Sequence, residues 1–282
     1  MNQQIINLYD EYTHKPLSRQ DFLKRLAILA GGTAAAMTIL PLLESNYAIA
    51  AQTTGDLFTE TIKYPGVPNE MSAYIARPKE NKKYAAVIVI HENRGLTPHI
   101  EDVARRVANA GYLAIAPNAL SALGKTAANE DEARQWFSEL KAENNLQNFK
   151  NALPYLATRK DYNGKVGCVG FCWGGAMANT LAVNVPELKA AVAFYGRQPA
   201  NEDVPKIKAA IQSHYGGLDE RVNAGSAAYE EALKKANIPF ESYVYEGAQH
   251  AFHNDTSAAR YNEAAAKLAW SRTLAFFEKY LK

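Results

Sequence analysis

The sequence predicts an α/β fold in which a mainly parallel central sheet is covered by helices on both faces. After residue 55, short apolar runs alternate with segments of helical periodicity, which is typical of βαβ units. The clearest run, Ala85–Ile90, is apolar at every position, as in a strand buried on both faces. Ligands of such sheets bind at the carboxyl ends of the strands, so the polar residues that directly follow each run are the functional candidates.

The predicted elements follow one another without an internal repeat or a linker. We expect strands at 85–90, 112–116, 166–170, 190–195, 209–215 and 241–245. We expect helices at 99–110, 176–183, 223–236 and 258–280, with two further helices within 129–157. Pro117 marks the end of the second strand.

The composition excludes several classes of protein. Of the 282 residues, 48% are hydrophobic and 21% charged, as in ordinary globular domains. A net charge of +2, with both signs interspersed, gives no case for nucleic-acid binding. The two cysteines, Cys168 and Cys172, are too few for a disulfide scaffold or a four-thiolate zinc site. We expect a monomer or a small homo-oligomer.

The first 50 residues have the pattern of a secretory signal peptide. Lysines and arginines precede an apolar run at 26–43, and the small residues Ala48-Ile49-Ala50 follow it. The stretch Ser18–Lys24 (SRQDFLK) resembles a twin-arginine export signal in which Gln20 replaces the second arginine. These features predict cleavage after Ala50, a single domain over 51–282 and a periplasmic protein without stable membrane association. The protein would be cytoplasmic if the degenerate signal is not used.

Two other interpretations of this segment stay open. One is an uncleaved membrane anchor, since about 18 apolar residues are just enough to span a bilayer. The other is an amphipathic helix of a cytoplasmic protein. Gly31, Gly32 and Pro41 weaken the membrane-spanning alternative.

Cys172 lies in a motif that indicates a nucleophile. Gly170–Gly175 (GFCWGG) follows a predicted strand and precedes a predicted helix, which is the nucleophile elbow with cysteine in the serine position. The flanking glycines permit a sharp turn, and the helix N-terminus favours the thiolate. The alternative is a buried, inert cysteine. A Cys168–Cys172 disulfide is disfavoured, because four residues of strand span about 13 Å and a disulfide needs Cα atoms within about 7 Å; Cys168 is expected in the core.

Two residues farther along the chain complete a candidate triad. Asp219 follows the predicted strand 209–215, and His250 follows the predicted strand 241–245. The order nucleophile, acid, histidine is that of α/β-hydrolases, so we expect the α/β-hydrolase fold. Glu220 is the rival acid. His253 forms an H-x-x-H pattern with His250, but without a carboxylate or thiolate at metal-ligand spacing we expect no zinc site.

The loop after the first predicted strand, 91–95 (HENRG), faces the elbow in this fold. In α/β-hydrolases such a loop supplies one N–H of the oxyanion hole, and the residue after the nucleophile supplies the other. The backbone N–H groups of Asn93 and Trp173 are therefore the candidates.

Taken together, these motifs resemble the dienelactone hydrolase (carboxymethylenebutenolidase) family. The resemblance covers about residues 57–282 and rests on Gly170–Gly175, Gly217-x-Asp219, Gly247-x-x-His250-x-Phe252, HENRG with Asp102, and the AGYLAIAP segment. It implies cleavage of a small-molecule ester or lactone through a Cys172–His250–Asp219 triad and an acyl-enzyme thioester, with no metal or organic cofactor. It also implies that Glu92 contacts the resting cysteine and is displaced when the substrate binds.

The sequence departs from the family at the substrate carboxylate. Members that act on dienelactone hold this carboxylate with two arginines, one before the elbow and one four residues after the histidine. Arg134 is the candidate for the first position, and Asn254 occupies the second. The residues that could compensate or line the pocket are Arg94, Arg197, Arg260 and Tyr195. The alternatives are a broad-specificity carboxylesterase or lactonase, a ligand-binding protein without turnover and a thiol-redox protein, the last disfavoured by the distance between Cys168 and Cys172.

Overall fold

The computed structural model describes residues 1–47, 55–125, 127 and 129–282. Its strands form one sheet: β1 (Leu57–Tyr64), β2 (Met71–Pro78), β3 (Tyr84–Ile90), β4 (Leu113–Asn118), β5 (Tyr162–Phe171), β6 (Leu188–Phe194), β7 (Ala210–Gly216) and β8 (Phe240–Tyr245). Its helices are α1 (Gln3–His14), α2 (Arg19–Ala30), α3 (Thr33–Leu43), α4 (Pro98–Asn109), α5 (Glu130–Phe137), α6 (Ala142–Lys150), α7 (Ala152–Ala157), α8 (Trp173–Asn184), α9 (Glu220–Asn223), α10 (Ser226–Lys235) and α11 (Glu263–Leu281).

The sheet has the order β1-β2-β4-β3-β5-β6-β7-β8. β1 and β2 are antiparallel to their neighbours, and the strands from β4 across to β8 run parallel. β4 lies on one side of β3 and β5 lies on the other, so the order in which successive strands are added to the sheet reverses at β3. Such a switch point opens a crevice at the carboxyl ends of the strands.

Apolar side chains cover both faces of the sheet, as predicted. One cluster joins the sheet to α6, α7, α8 and α10. The other joins the opposite face to α4 and α11. All seven residues of β3 are buried, which explains why this strand is apolar at every position.

The structure corrects three details of the predicted elements. β1 and β2 were not predicted, and they extend the sheet at one edge. The segment 129–157 holds three helices rather than two, because Pro154 has no N–H to continue the hydrogen-bond ladder of α6. The last helix begins at Glu263 rather than near 258, where the Asn262 side chain accepts a hydrogen bond from Ala265 N (3.1 Å).

The first 47 residues form three helices packed against one another and against the sheet domain. Phe22, Leu26 and Leu43 are fully buried in an apolar cluster that joins α1, α2 and α3. The predicted apolar run 26–43 is divided by Gly31 and Gly32, where α2 and α3 meet at 112°.

In the part of the chain that the structure describes, no single helix is long and apolar enough to cross a membrane; α2 and α3 reach that length only together, as a bent pair. The predicted cleavage motif Ala48–Ala50 and the predicted mature start at Ala51 lie outside the described residues. Cleavage therefore stays a prediction.

Candidate active site

Cys172 lies in a strained turn between β5 and α8. Its backbone has φ 55° and ψ −113°, a conformation that costs a residue with a Cβ about 1–3 kcal/mol. A Cβ on Gly174 would overlap the carbonyl oxygen of Ile90, and one on Gly175 would lie 2.6 Å from that of Phe194. The glycines therefore allow α8 to begin directly against the ends of β3 and β6, with the cysteine at the turn.

The structure brings His250 and Asp219 to the same sheet edge. Asp219 follows β7, His250 follows β8, and His250 Nδ1 lies 2.5 Å from Asp219 Oδ2. Their side chains are only 6% and 3% exposed, so water does not compete for this contact. Because Nδ1 faces the carboxylate, Nε2 is left to face the sulfur of Cys172, which lies within 4.8 Å of a His250 ring nitrogen. Glu220, the rival acid, is exposed at the start of α9.

A second histidine, which the sequence did not reveal, contacts the same sulfur. His14 ends α1, and its Nε2 lies 3.1 Å from Cys172 Sγ. Its Nδ1 lies 2.9 Å from the carbonyl oxygen of Asp10 and 3.1 Å from the Asp10 carboxylate. The rings of His14 and His250 are nearly perpendicular, with centroids 4.8 Å apart. No motif marks His14, and it lies in the segment interpreted as a signal peptide.

The two histidines decide the ionisation of the cysteine. Burial opposes the thiolate, but the charges of His14 and His250, together with the hydrogen bond from His14, outweigh it and lower the pKa of Cys172 to about 6. Burial likewise opposes the imidazolium of His250, but the Cys172 thiolate and Asp219 raise its pKa to about 10. The pKa of His14 is also raised, against burial, by the thiolate and Asp10. The site therefore favours a Cys172 thiolate beside a protonated His250 near neutral pH.

Cys168 has the opposite environment. It is fully buried in the core cluster beneath α8, and both cysteines are free thiols. Burial raises the pKa of Cys168 to about 12, so this thiol is inert. The prediction that the two cysteines do not pair is confirmed.

The candidate oxyanion-hole residues border the same cleft as Cys172. Trp173 is the first residue of α8, where the backbone N–H has no acceptor within the helix. Asn93 follows β3, and its side-chain amide donates to the carbonyl oxygen of Thr13 (2.8 Å). Both residues are therefore placed where a substrate carbonyl could approach.

The Glu92 carboxylate is held by two other side chains. Asn254 Nδ2 donates to Oε2 (2.8 Å), and the Tyr195 hydroxyl donates to Oε1 (3.4 Å). Glu92, Cys172 and His250 all line a small cavity of about 20 Å³. Asn254, at the position where family members that act on dienelactone have an arginine, thus serves as a partner of Glu92.

A larger cleft of about 1280 Å³ opens over Cys172 and His250. Its walls come from the segment 13–19, from α5 and its flanks, and from Trp173, Tyr195 and Arg197. Arg134 lines this cleft, with Nη1 2.5 Å from the carbonyl oxygen of Tyr12 and its guanidinium 4.0 Å from the Tyr12 ring.

The remaining predicted arginines have other surroundings. Arg94 is not among the described residues that line the large cleft; it bonds Asn93 Oδ1 (2.8 Å) and lies 3.8 Å from Glu130. Arg260 is buried and lines the small cavity, with its guanidinium 5.0 Å from the Tyr9 ring.

Three side chains have the spacing of metal ligands. The sulfur of Cys172 and one ring nitrogen each of His14 and His250 lie within 4.8 Å of one another, and thiolate with imidazole is a donor set that zinc prefers. His253, of the H-x-x-H pattern, is not part of this group among the described residues; its ring packs 5.0 Å from those of Phe171 and Phe194.

A mainly parallel sheet with a strained turn at Cys172 after β5, an aspartate after β7 and a histidine after β8 is the arrangement of the α/β-hydrolase fold. The model of the dienelactone hydrolase family matches residues 71–281. A crystal structure of a dienelactone hydrolase homologue from Klebsiella pneumoniae superimposes with a TM-score of 0.73 at 30% identity, covering 80% of this chain and 100% of that one.

Sequence relatives agree with this assignment. A carboxymethylenebutenolidase homologue from Escherichia coli O157:H7 is 34% identical over 232 residues, 77% of this chain and 85% of the relative. One from Methylorubrum extorquens is 29% identical over 288 residues, 94% of this chain and 96% of the relative, so this alignment includes part of the segment 1–47. The chain belongs to the dienelactone hydrolase family and is a hydrolase acting on esters or lactones.

Proposed function

We propose that Cys172 is the nucleophile of this hydrolase, with His250 as general acid and base and Asp219 as the group that orients His250. The observation that carries the proposal is the position of the sulfur: it lies at a strained helix start, within 4.8 Å of the histidine whose other nitrogen is 2.5 Å from a buried carboxylate. A lowered thiol pKa supports it, because the thiolate is the attacking species.

The reaction follows from this geometry in two halves. The thiolate attacks the ester carbonyl, a C–S bond forms, and the N–H groups of Asn93 and Trp173 bind the oxyanion. The oxyanion collapses, the C–O bond to the leaving alcohol breaks, and His250 Nε2 gives that oxygen its proton. The thioester remains. A water then transfers a proton to His250 and attacks the thioester, the C–S bond breaks, and the acid leaves with Cys172 again a thiolate.

We also propose that Glu92 opposes the Cys172 thiolate, partly offsetting the two histidines, until the substrate displaces it. Its carboxylate lines the small cavity beside the sulfur, and a negative charge there opposes the thiolate by like-charge repulsion. Asn254 and Tyr195 hold the Glu92 carboxylate through one hydrogen bond each. Both partners are uncharged, so displacement of Glu92 from them breaks hydrogen bonds but no ion pair.

The cleft favours a broader substrate range than dienelactone alone. Arg134 and Arg94 are engaged by protein groups, and Asn254 takes the place of the second clamp arginine. Arg197 is exposed in the cleft and has no ion-pair partner in the described part of the chain. A carboxylesterase or lactonase that accepts neutral as well as anionic substrates is therefore the second candidate, with Arg197 as the anion contact.

Replacement of Cys172 tests the proposal. Cys172→Ala should lower the turnover of activated esters and lactones about 10³-fold or more, as loss of a triad nucleophile does. Cys168→Ala is the matched control and should keep most of the activity, because Cys168 lies in the core, away from the cleft. Equal losses in both variants would indicate redox chemistry that needs both thiols. Absence of turnover by the unaltered protein across such a panel would indicate a binding protein.

A further inference from the structure

The contact between His14 and Cys172 is unexplained by a triad of Cys172, His250 and Asp219. His14 Nε2 is 3.1 Å from the sulfur, so a side chain 158 residues away in sequence contacts the reacting atom. We propose that His14 is a catalytic residue that stabilises the Cys172 thiolate, and that residues 1–47 are therefore part of the working enzyme. This inference rests on the proposed function, because it concerns the same sulfur.

The surroundings of His14 favour its charged form. Nδ1 is within hydrogen-bonding distance of the Asp10 carbonyl oxygen (2.9 Å) and within ion-pair distance of the Asp10 carboxylate (3.1 Å). Asp10 also faces Arg221 at 3.3 Å, which keeps the carboxylate ionised beside the imidazole. With a proton on Nδ1 and another on Nε2, the ring donates toward the sulfur. Asp10–His14 thus repeats, beside the same sulfur, the carboxylate–histidine pair that Asp219 and His250 form.

Other charges face the sulfur from the neighbouring elements. Arg260 and Glu92, of opposite sign, line the small cavity with it, and Asp219 lies behind His250. Removal of His14 would leave His250 as the imidazole that faces the thiolate, with Glu92 opposing it. The pKa of Cys172 should then move back toward its ordinary value.

His14 is held in place by loops from several strand ends. Asn93, after β3, binds the carbonyl oxygen of Thr13 (2.8 Å), and Arg134 of α5 binds that of Tyr12 (2.5 Å). Gln249, after β8, exchanges amide hydrogen bonds with Gln3 at 2.6 and 2.9 Å. These contacts come from the same loops that carry the candidate catalytic groups. They fix α1 at the site.

The inference gives the two histidines different tasks. His14 keeps its proton through the cycle and stabilises negative charge on sulfur when the thiolate is present before attack and when it is released from the thioester. His250 is then the group that gives its proton to the leaving alcohol and takes one from water. The proton balance of the hydrolysis is unchanged, since no bond to His14 forms or breaks.

The pH dependence of iodoacetamide alkylation tests this assignment in the full-length protein. In the wild type the alkylation rate should rise with a midpoint near pH 6, the pKa of Cys172. His14→Gln and His14→Ala should raise that midpoint by about one to two pH units, because a charge-assisted hydrogen bond to the thiolate is lost. Arg25→Ala is the matched control: it removes the Arg25–Glu11 ion pair (3.6 Å) between α1 and α2 but no group of the site.

Both outcomes of the experiment are decisive. A midpoint that stays at the wild-type value in folded His14→Gln overturns the inference, even if turnover falls. Retained turnover in Cys172→Ala would instead overturn the proposed nucleophile, independently of His14. The inference also requires that the working enzyme retains His14. N-terminal sequencing of the enzyme from its native cell should therefore show that His14 is present, and a mature start at Ala51 would contradict the inference.

Discussion

Asp219 offers the sharpest test of the candidate triad, because the adjacent Glu220 provides a matched control. The Asp219 carboxylate is buried and lies 2.5 Å from His250 Nδ1, whereas Glu220 is exposed on α9. Breaking one side of a buried charged pair costs roughly 3–5 kcal/mol. If most of this is lost from the transition state, kcat/KM for Asp219→Asn should fall about 10²–10⁴-fold. Glu220→Gln should leave it nearly unchanged.

The pH dependence of kcat/KM gives a second test of the role of Asp219. The His250 pKa is raised to about 10, against burial, by the thiolate and Asp219, so the imidazolium is present below that pH and is lost as the pH rises through it. Without the Asp219 charge this pKa falls, and the alkaline limb of kcat/KM should move to lower pH. Steady-state kinetics between about pH 5 and about pH 10 measure both effects. An unmoved alkaline limb in Asp219→Asn, or an equal loss in Glu220→Gln, would refute the assignment of the acid.

Two further perturbations concern the sulfur. Glu92→Gln removes the opposing negative charge, so at a pH near the Cys172 pKa of about 6, where thiol and thiolate coexist, Cys172 should be alkylated faster by iodoacetamide in the absence of substrate, while ester turnover falls; an unchanged or slower alkylation rate would leave Glu92 a structural residue. Added Zn²⁺ should inhibit the enzyme by binding Cys172, His14 and His250, and His14→Gln should weaken this inhibition; equal inhibition of both proteins would place the metal elsewhere.

The inner part of the sheet could be predicted because burial on both faces leaves a simple pattern. β3 and β6 are nearly continuous apolar runs, and α4 has its buried residues Ile100, Val103, Ala104 and Val107 at helical spacing. β1 escaped prediction because it lies at the sheet edge: most of its residues, including Glu60 and Lys63, are exposed or half-exposed, and no apolar run marks it. Its pairing with β2 depends on backbone hydrogen bonds, which any sequence can make.

The candidate triad was predictable for a related reason. Cys172, Asp219 and His250 each follow a strand of a parallel sheet, and the carboxyl ends of such strands meet at one edge. His14 follows no strand and belongs to no motif. Its contact with the sulfur arises only because α1 packs across the loops of that edge, which local sequence does not encode.

Several residues of the twin-arginine-like stretch also have roles in the packing of α2. Ser18 caps α2, with its side chain accepting from Asp21 N (3.1 Å), and Arg19 bridges Glu44 (2.9 Å) and Asp131 (2.6 Å). Phe22 is fully buried between the helices. Gln20, where the stretch departs from the export signal, is exposed on α2, so the packing of the helix does not require an arginine at this position. Through these contacts Ser18, Arg19 and Phe22 hold α2 in place, and α2 packs against α1. They therefore contribute to the arrangement in which His14, at the end of α1, contacts Cys172.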